Sequence, residues 1–230
     1  LTSGSTWHAA GLLPLFNMSY SVGQIHKYSV KLYAELQEKS DIGLRRVSNI
    51  RLARTRDRMD EYRYYAGIAE TIGVEVEFLT PAEVKALWPL AEVDDLVGAI
   101  RHPGDGYVQP ADLTQALARE ARALGAEIAR YTTVTAIERT TAGEWKVTTD
   151  KGEVVCEHVV TATGNFARKT GEMIGYDMPV IPVEHQYIVT EPHPAIRERQ
   201  AEGLPEMGVL RESDSAWYMR EEARSEEHTS

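Results

Sequence analysis

The stretch Leu1–Leu12, LTSGSTWHAAGL, decides how the rest of the chain reads. A run of small residues (Ser3, Gly4, Ser5, Thr6) leads into an aromatic and a histidine (Trp7, His8). A second small run (Ala9, Ala10, Gly11) follows before Leu12. Small residues at both ends let a flat ligand lie close to the backbone. Their hydroxyls and N–H groups can donate to it. Taken alone, the string is either a ligand loop or an ordinary loop histidine beside a buried tryptophan.

Outward from this loop, the chain alternates helical and extended patterns. Val22, Ile25, Tyr28, Ser29, Leu32, Tyr33 and Leu36 recur at three- and four-residue steps and predict a helix over 21–39. A strand is expected at 47–54 and a second helix at 56–72, with Tyr62, Tyr64 and Tyr65 on one packing face. Thr80, Pro81 and Glu83 form a capping-box pattern ahead of a helix that stops near Pro89. A strand at 96–101 runs into HPGDGYVQPADL, where Asp105-Gly106 marks a tight turn and Pro110 opens a helix reaching Gly125. Asp105 reads as a turn residue rather than a catalytic one.

From Ala126 the pattern changes to short strands: 127–131, 134–139, 145–149, 153–156 and the apolar pair Val159-Val160. The segment VVTATGNFARKTGEMIG reads as a buried strand, a turn at Gly164 and a helix whose N-terminus suits a phosphate. Further strands are expected at 180–190, 208–211 and 216–220, with a short helix after Pro194.

Composition narrows the function classes. The 230 residues are 43% hydrophobic, enough for one good core or two small ones. The net charge of -10 and the lack of a basic stripe argue against nucleic acid or an anionic membrane as partner. The single cysteine, Cys156, excludes an internal disulfide and fits a reducing compartment. No apolar run is long enough to span a bilayer, and no metal-ligand spacing is found. No G-x-G-x-x-G occurs. The chain opens on Leu, and Arg224–Ser230 (RSEEHTS) looks like sequencing-adapter read-through, which removes His228 from any site. It reads as a piece of a longer protein, open at both ends.

The strings GSTWHAAGL, PGDGYVQPADLTQALA, HVVTATGNFA and PVEHQYIVT together resemble the dimethylglycine and sarcosine dehydrogenases, flavoenzymes of the D-amino-acid-oxidase superfamily. The resemblance implies an α/β fold with α+β character. It consists of a partial, Rossmann-like FAD-binding domain (1–20 and 103–176) without its first βαβ, an antiparallel-sheet substrate domain (21–102 and 177–223), and a non-native tail at 224–230. It implies FAD held by Gly4, Ser5, Thr6, Trp7, His8, Ala9, Ala10, Gly11 and Leu12, with the covalent bond at His8. Val134 would meet the adenosine through its backbone, and Gly164 and Phe166 would lie at the second Gly turn. There the family's usual AAG-x-W is replaced by Thr163-Gly164-Asn165-Phe166.

His185 and Tyr218 match the family's active-site histidine and tyrosine. The implied reaction is oxidative demethylation of an N-methyl amino acid, with hydride passing from the methyl carbon to flavin N5. A base near neutral pH keeps the amine unprotonated. Arg51 and Arg220 are the candidate cations for the substrate carboxylate. Tetrahydrofolate would bind a downstream region, electrons would leave to a carrier flavoprotein or oxygen, and the location would be cytoplasmic, or the mitochondrial matrix in a eukaryote. The fragment alone is expected to be inactive. The alternatives are a non-catalytic regulatory relative of the same fold and an unrelated small-molecule-binding α/β domain. Retention of His8, His185 and Tyr218 favours the enzyme.

Overall fold

The structure, a computed structural model, describes residues 1–221. The expected tail at 224–230, with His228, lies outside the described residues. In chain order the elements are a one-turn helix at Gly4–Thr6, β1 (Leu12–Leu13), α1 (Tyr20–Lys39), β2 (Asn49–Ala53), α2 (Arg56–Ile72), β3 (Glu77–Leu79), α3 (Pro81–Leu87), β4 (Gly98–His102), β5 (Gly106–Tyr107) and α4 (Pro110–Ala123). Then come β6 (Val134–Arg139), β7 (Trp145–Thr149), β8 (Gly152–Cys156), α5 (Ala167–Glu172), α6 (Pro194–Ala201), β9 (Val209–Glu212) and β10 (Trp217–Met219).

Local chemistry sets these boundaries. The Ser19 and Thr55 side chains accept the N–H groups of Val22 and Arg58, which starts α1 and α2. Gly73, in the left-handed region at φ 67°, closes α2. The capping box at Thr80–Glu83 forms as its spacing predicts.

Two compact units result, residues 1–126 with the described part of 192–230, and residues 127–191. Packing draws these lines, and they fall at different places from the functional division expected from the sequence. The larger unit holds a five-stranded mixed sheet in the order β10-β9-β2-β4-β3. Its neighbours run antiparallel except β2 and β9, which are parallel. α2 covers one face, where Met59, Tyr62, Tyr65 and Ala69 join Ala53 and Ile100 in a core. The other face packs Ile50, Leu52, Ala99 and Leu210 against Val84 and Trp88. Of the three tyrosines expected on one helix face, Tyr62 and Tyr65 are buried and Tyr64 is exposed. Positions 62 and 65 lie three apart and share a face, whereas 64 turns away from it.

The smaller unit is an antiparallel meander, β6-β7-β8, followed by a Gly164–Phe166 turn and α5. Three expected strands are not strands: 127–131, the Val159-Val160 segment and 180–190. A strand exists only as part of a hydrogen-bonded ladder. β6, β7 and β8 find their partners through tight hairpins, whereas these three segments pair with no described segment. Val160, expected to be buried, is exposed, as are Ile181, Val183, Ile188 and Val189.

Candidate active site

The loop at 1–11 is anchored from behind. β1 pairs antiparallel with β5, Leu12 opposite Tyr107 and Leu13 opposite Gly106. The Val108 N–H donates to the Gly11 carbonyl at 2.9 Å. Gly11 sits at φ +67°, and a Cβ there would lie 2.0 Å from the Val108 carbonyl oxygen. Only glycine allows this approach. In front of the anchor, the loop is open. Trp7 is 61% exposed, which removes the reading of a histidine beside a buried tryptophan. His8 is exposed too, and a Cβ on Gly4 would meet nothing within 4 Å. Small residues, hydroxyls and an accessible imidazole therefore line one open surface. That donor set fits a flat aromatic cofactor attached through a histidine.

Directly after β1 the same strand of chain enters the interior. The Leu15 N–H donates to Asp105 Oδ1 at 3.0 Å, and the Tyr65 hydroxyl donates to the Leu15 carbonyl at 3.1 Å. The Phe16 ring packs on Tyr65 (centroids 4.2 Å apart) and edge-on to Tyr62 and His102. The Arg51 guanidinium stacks over Phe16 at 4.1 Å. A desolvated cation over a ring is worth up to about 2 kcal/mol.

These contacts gather a polar cluster on the α2-facing side of the sheet. Asn49, Arg51, His102 and Asp105 are all buried. Asn49 Oδ1, Arg51 Nε, both ring nitrogens of His102 and Asp105 Oδ2 have no hydrogen-bond partner among the described residues. Buried polar atoms are nearly always paired, so five orphans on four adjoining residues single this place out as a candidate site. Electrostatics agrees. Burial pushes the Asp105 carboxyl up to about 7, against the lowering pull of the Leu15 N–H, Arg51 and Arg211. Burial and the neighbouring Arg51 push the His102 imidazole down to about 3, which keeps it neutral. Burial, with Arg211 adding, lowers Arg51 to about 10.

Strand register places the other candidates. Arg51 on β2 is opposite Arg211 on β9, and Arg211 is opposite Tyr218 on β10. Paired residues project from the same face, so Arg51 and Tyr218 share a row with Arg211 between them. Arg220 lies elsewhere, its guanidinium 4.0 Å from the centroid of the Tyr107 ring, whose hydroxyl donates to Glu206. His185, Val134, Gly164 and Phe166 belong to the smaller unit, where all four are exposed. The sequence reading missed Arg211, His102, Asn49 and Phe16, and it took Asp105 for a turn residue. Asp105 does sit in the turn, its N–H donating to the His102 carbonyl at 3.2 Å, but its side chain points inward. The available signal was a His and an Asp flanking one tight turn, HPGD.

A family model described as FAD dependent oxidoreductase matches residues 1–227. The chain therefore belongs to the FAD-dependent oxidoreductases of the D-amino-acid-oxidase type. Among its relatives is the mitochondrial dimethylglycine dehydrogenase of Rattus norvegicus, 38% identical over 224 residues, covering 96% of this chain and 26% of that protein. The mitochondrial sarcosine dehydrogenase of Homo sapiens is 34% identical over 231 residues, covering 96% of this chain and 24% of that protein. The chain thus spans about a quarter of the length of these relatives. In structure it is similar to the L-proline dehydrogenase of P. horikoshii, with a TM-score of 0.82 at 24% identity, covering 96% of this chain and 57% of that one. The fold is that of this family, mixed helices and sheets. No helix among the described residues is long and apolar enough to cross a membrane.

Proposed function

We propose that the intact protein carrying this chain oxidatively demethylates a small N-methyl amino acid such as dimethylglycine or sarcosine, with FAD bound covalently through His8. One observation supports this most. The loop that would carry the cofactor and the buried polar cluster are a single piece of chain, joined at Leu15 and Phe16 to Asp105, Arg51 and His102.

In this reading Gly4–Leu12 hold the flavin, and Val134, Gly164 and Phe166 are the further flavin-contact residues that the family resemblance implies. The flavin, when bound, supplies the acceptor for the hydride of the N-methyl group. The residues of this chain bind and orient the amino acid and take up its proton. Arg51, with Arg220 as the other candidate, holds the carboxylate. The Tyr218 phenol donates to that carboxylate or to a bridging water. His185 accepts the ammonium proton, because a protonated amine has no lone pair to assist hydride departure. A folate-binding region outside this chain would collect the one-carbon unit as tetrahydrofolate adduct, and electrons would pass to a carrier flavoprotein or to oxygen. The location would be the cytoplasm or a mitochondrial matrix.

The test uses the intact protein, mixed anaerobically with dimethylglycine and then precipitated in acid. Bleaching of the flavin absorbance, and flavin fluorescence retained on the His8 peptide, are the expected results. No bleaching with any N-methyl amino acid would remove the substrate reading. Flavin washing away from the peptide would remove the covalent one.

A further inference from the structure

We infer that Arg211 on β9 is a specificity-determining residue: with Arg51 it forms a two-guanidinium receptor for the carboxylate of the substrate. This rests on the amino-acid-oxidising reading above and adds a residue to it.

The first support is register. Ile100, Arg51, Arg211 and Tyr218 fall in one row across β4, β2, β9 and β10. Neighbouring strands lie about 4.8 Å apart, so two guanidinium groups leave adjacent strands side by side on one face. The second is how the heads are held. Arg51 stacks on Phe16, and the Arg211 guanidinium lies 5.5 Å from the centroid of the Tyr218 ring. These cation–ring contacts hold both heads in place while leaving N–H groups to aim at a ligand.

The third support is missing neutralisation. Among the described residues, neither Arg51 nor Arg211 has a carboxylate within 4 Å, although eleven other ion pairs form in this chain. Each repels the other, and burial adds to the cost at Arg51. Two adjacent cations in a partly buried place are unfavourable until an anion arrives. Asp105 attracts both arginines, but its Oδ1 is taken by the Leu15 N–H. When ionised, Asp105 leaves one positive charge in excess, which matches a monocarboxylate. Arg220 is the poorer partner for Arg51, because Glu206, bonded to the Tyr107 hydroxyl beneath it, already draws on its charge. A carboxylate held by two planar guanidinium groups is oriented as well as bound.

The experiment compares the intact, flavin-loaded protein with its Arg211→Gln and Arg211→Lys variants. Two quantities are read. One is KM for dimethylglycine against KM for N,N-dimethylglycinamide, which keeps the amine and puts a neutral amide in place of the carboxylate. The other is the dissociation constant of acetate, followed by the change in flavin absorption without turnover. In Arg211→Gln, KM for dimethylglycine and the acetate constant should rise together by about 10- to 100-fold. The amide's KM should change less than about twofold, since a neutral group draws no such support. Arg211→Lys keeps the charge and loses the planar fork, so its rise should be smaller and in the same direction. Should Arg211→Gln fail to fold, Arg211→Lys carries the test alone. Acetate binding unchanged in both variants, or in Arg211→Lys alone where it is the only folded one, overturns the proposal. If no N-methyl amino acid is oxidised and acetate binding still depends on Arg211, the substrate reading falls and the carboxylate receptor stands.

Discussion

The two compact units handle the same kind of sequence in opposite ways. Both contain short apolar alternations that read as strands. In the larger unit even a distant one is used: β9 crosses most of the chain to lie parallel to β2, and a core cluster forms on each face of that sheet. In residues 127–191 only the hairpin neighbours β6, β7 and β8 pair. Ile137 is the one large apolar side chain buried there among the described residues, while Val154, Val155, Ile181 and Ile188 are exposed. Alternation shows that a segment is fit for a ladder. Whether the ladder exists depends on a partner, which the segment itself does not encode.

The sharpest way to break this contrast is to add one methyl group to a glycine in each unit. A Cβ on Gly106 would lie 1.8 Å from the Arg45 carbonyl oxygen, with Arg45 C and Arg46 Cα within 3.0 Å. All three are backbone atoms, so no side chain can move aside. Gly106→Ala should cost more than about 4 kcal/mol and lower the denaturant midpoint of the larger unit sharply. In the smaller unit, a Cβ on Gly164 meets nothing within 4 Å, and only its φ of +54° opposes a side chain. Gly164→Ala should cost about 1–2 kcal/mol, the price of the left-handed region. Equal losses in urea melts of the two variants would show that the loop anchor is not specially packed.

A second prediction tests the polar cluster, which has no counterpart in the smaller unit. Burial raises Asp105 to about 7, so the folded state holds its proton where the unfolded state has released it. Above the unfolded carboxylate value the folded state then binds more protons than the unfolded one. Stability from this group therefore falls as pH rises from about 4 to about 7, and stays reduced above that. Asp105→Asn removes the charge and keeps an oxygen for the Leu15 N–H. It should stabilise the protein at pH 8 by about 2–4 kcal/mol and change little at pH 4. Thermal melts at both pH values check it. A variant less stable at pH 8 would mean that the ionised carboxylate is held by Arg51 and Arg211 more firmly than burial opposes it.

The same contrast explains what was legible in the sequence. The helices and the cap at Thr80 were readable because a helix closes its hydrogen bonds within a few residues, whereas the caps at Ser19 and Thr55 went unnamed. The loop Gly4–Leu12 could be named as a candidate because its chemistry is contiguous. Arg51 and Tyr218 were named as candidates, but the row joining them was not visible. It depends on β9 lying parallel beside β2, and only that register puts Arg211 between them. His102 and Asp105 were hidden differently. A polar residue at a turn looks solvated in sequence, but Phe16 and Tyr65 pack against His102 and the Leu15 N–H bonds Asp105.

The smallest effect expected concerns how the two units start their helices. α3 opens on a reciprocal cap: Thr80 Oγ1 accepts the Glu83 N–H at 3.3 Å, and Glu83 Oε2 accepts the Thr80 N–H at 2.7 Å. α5 in the smaller unit opens at Phe166 with no side-chain cap. Thr80→Ala removes the acceptor at one end of the exchange and should cost about 1 kcal/mol, whereas Thr80→Ser should keep nearly all of it. The backbone and hydroxyl bonds from Thr80 hold the Glu83 carboxyl below its ordinary value. A group lowered in this way stabilises the fold above its unfolded value and loses that contribution as pH falls through the folded one. Carboxyl chemical shifts followed through an acid titration should therefore show Glu83 titrating at higher pH in Thr80→Ala than in the parent. An unchanged Glu83 titration would mean that the backbone N–H alone holds the carboxylate, and that the Thr80 hydroxyl contributes only to its own end of the cap.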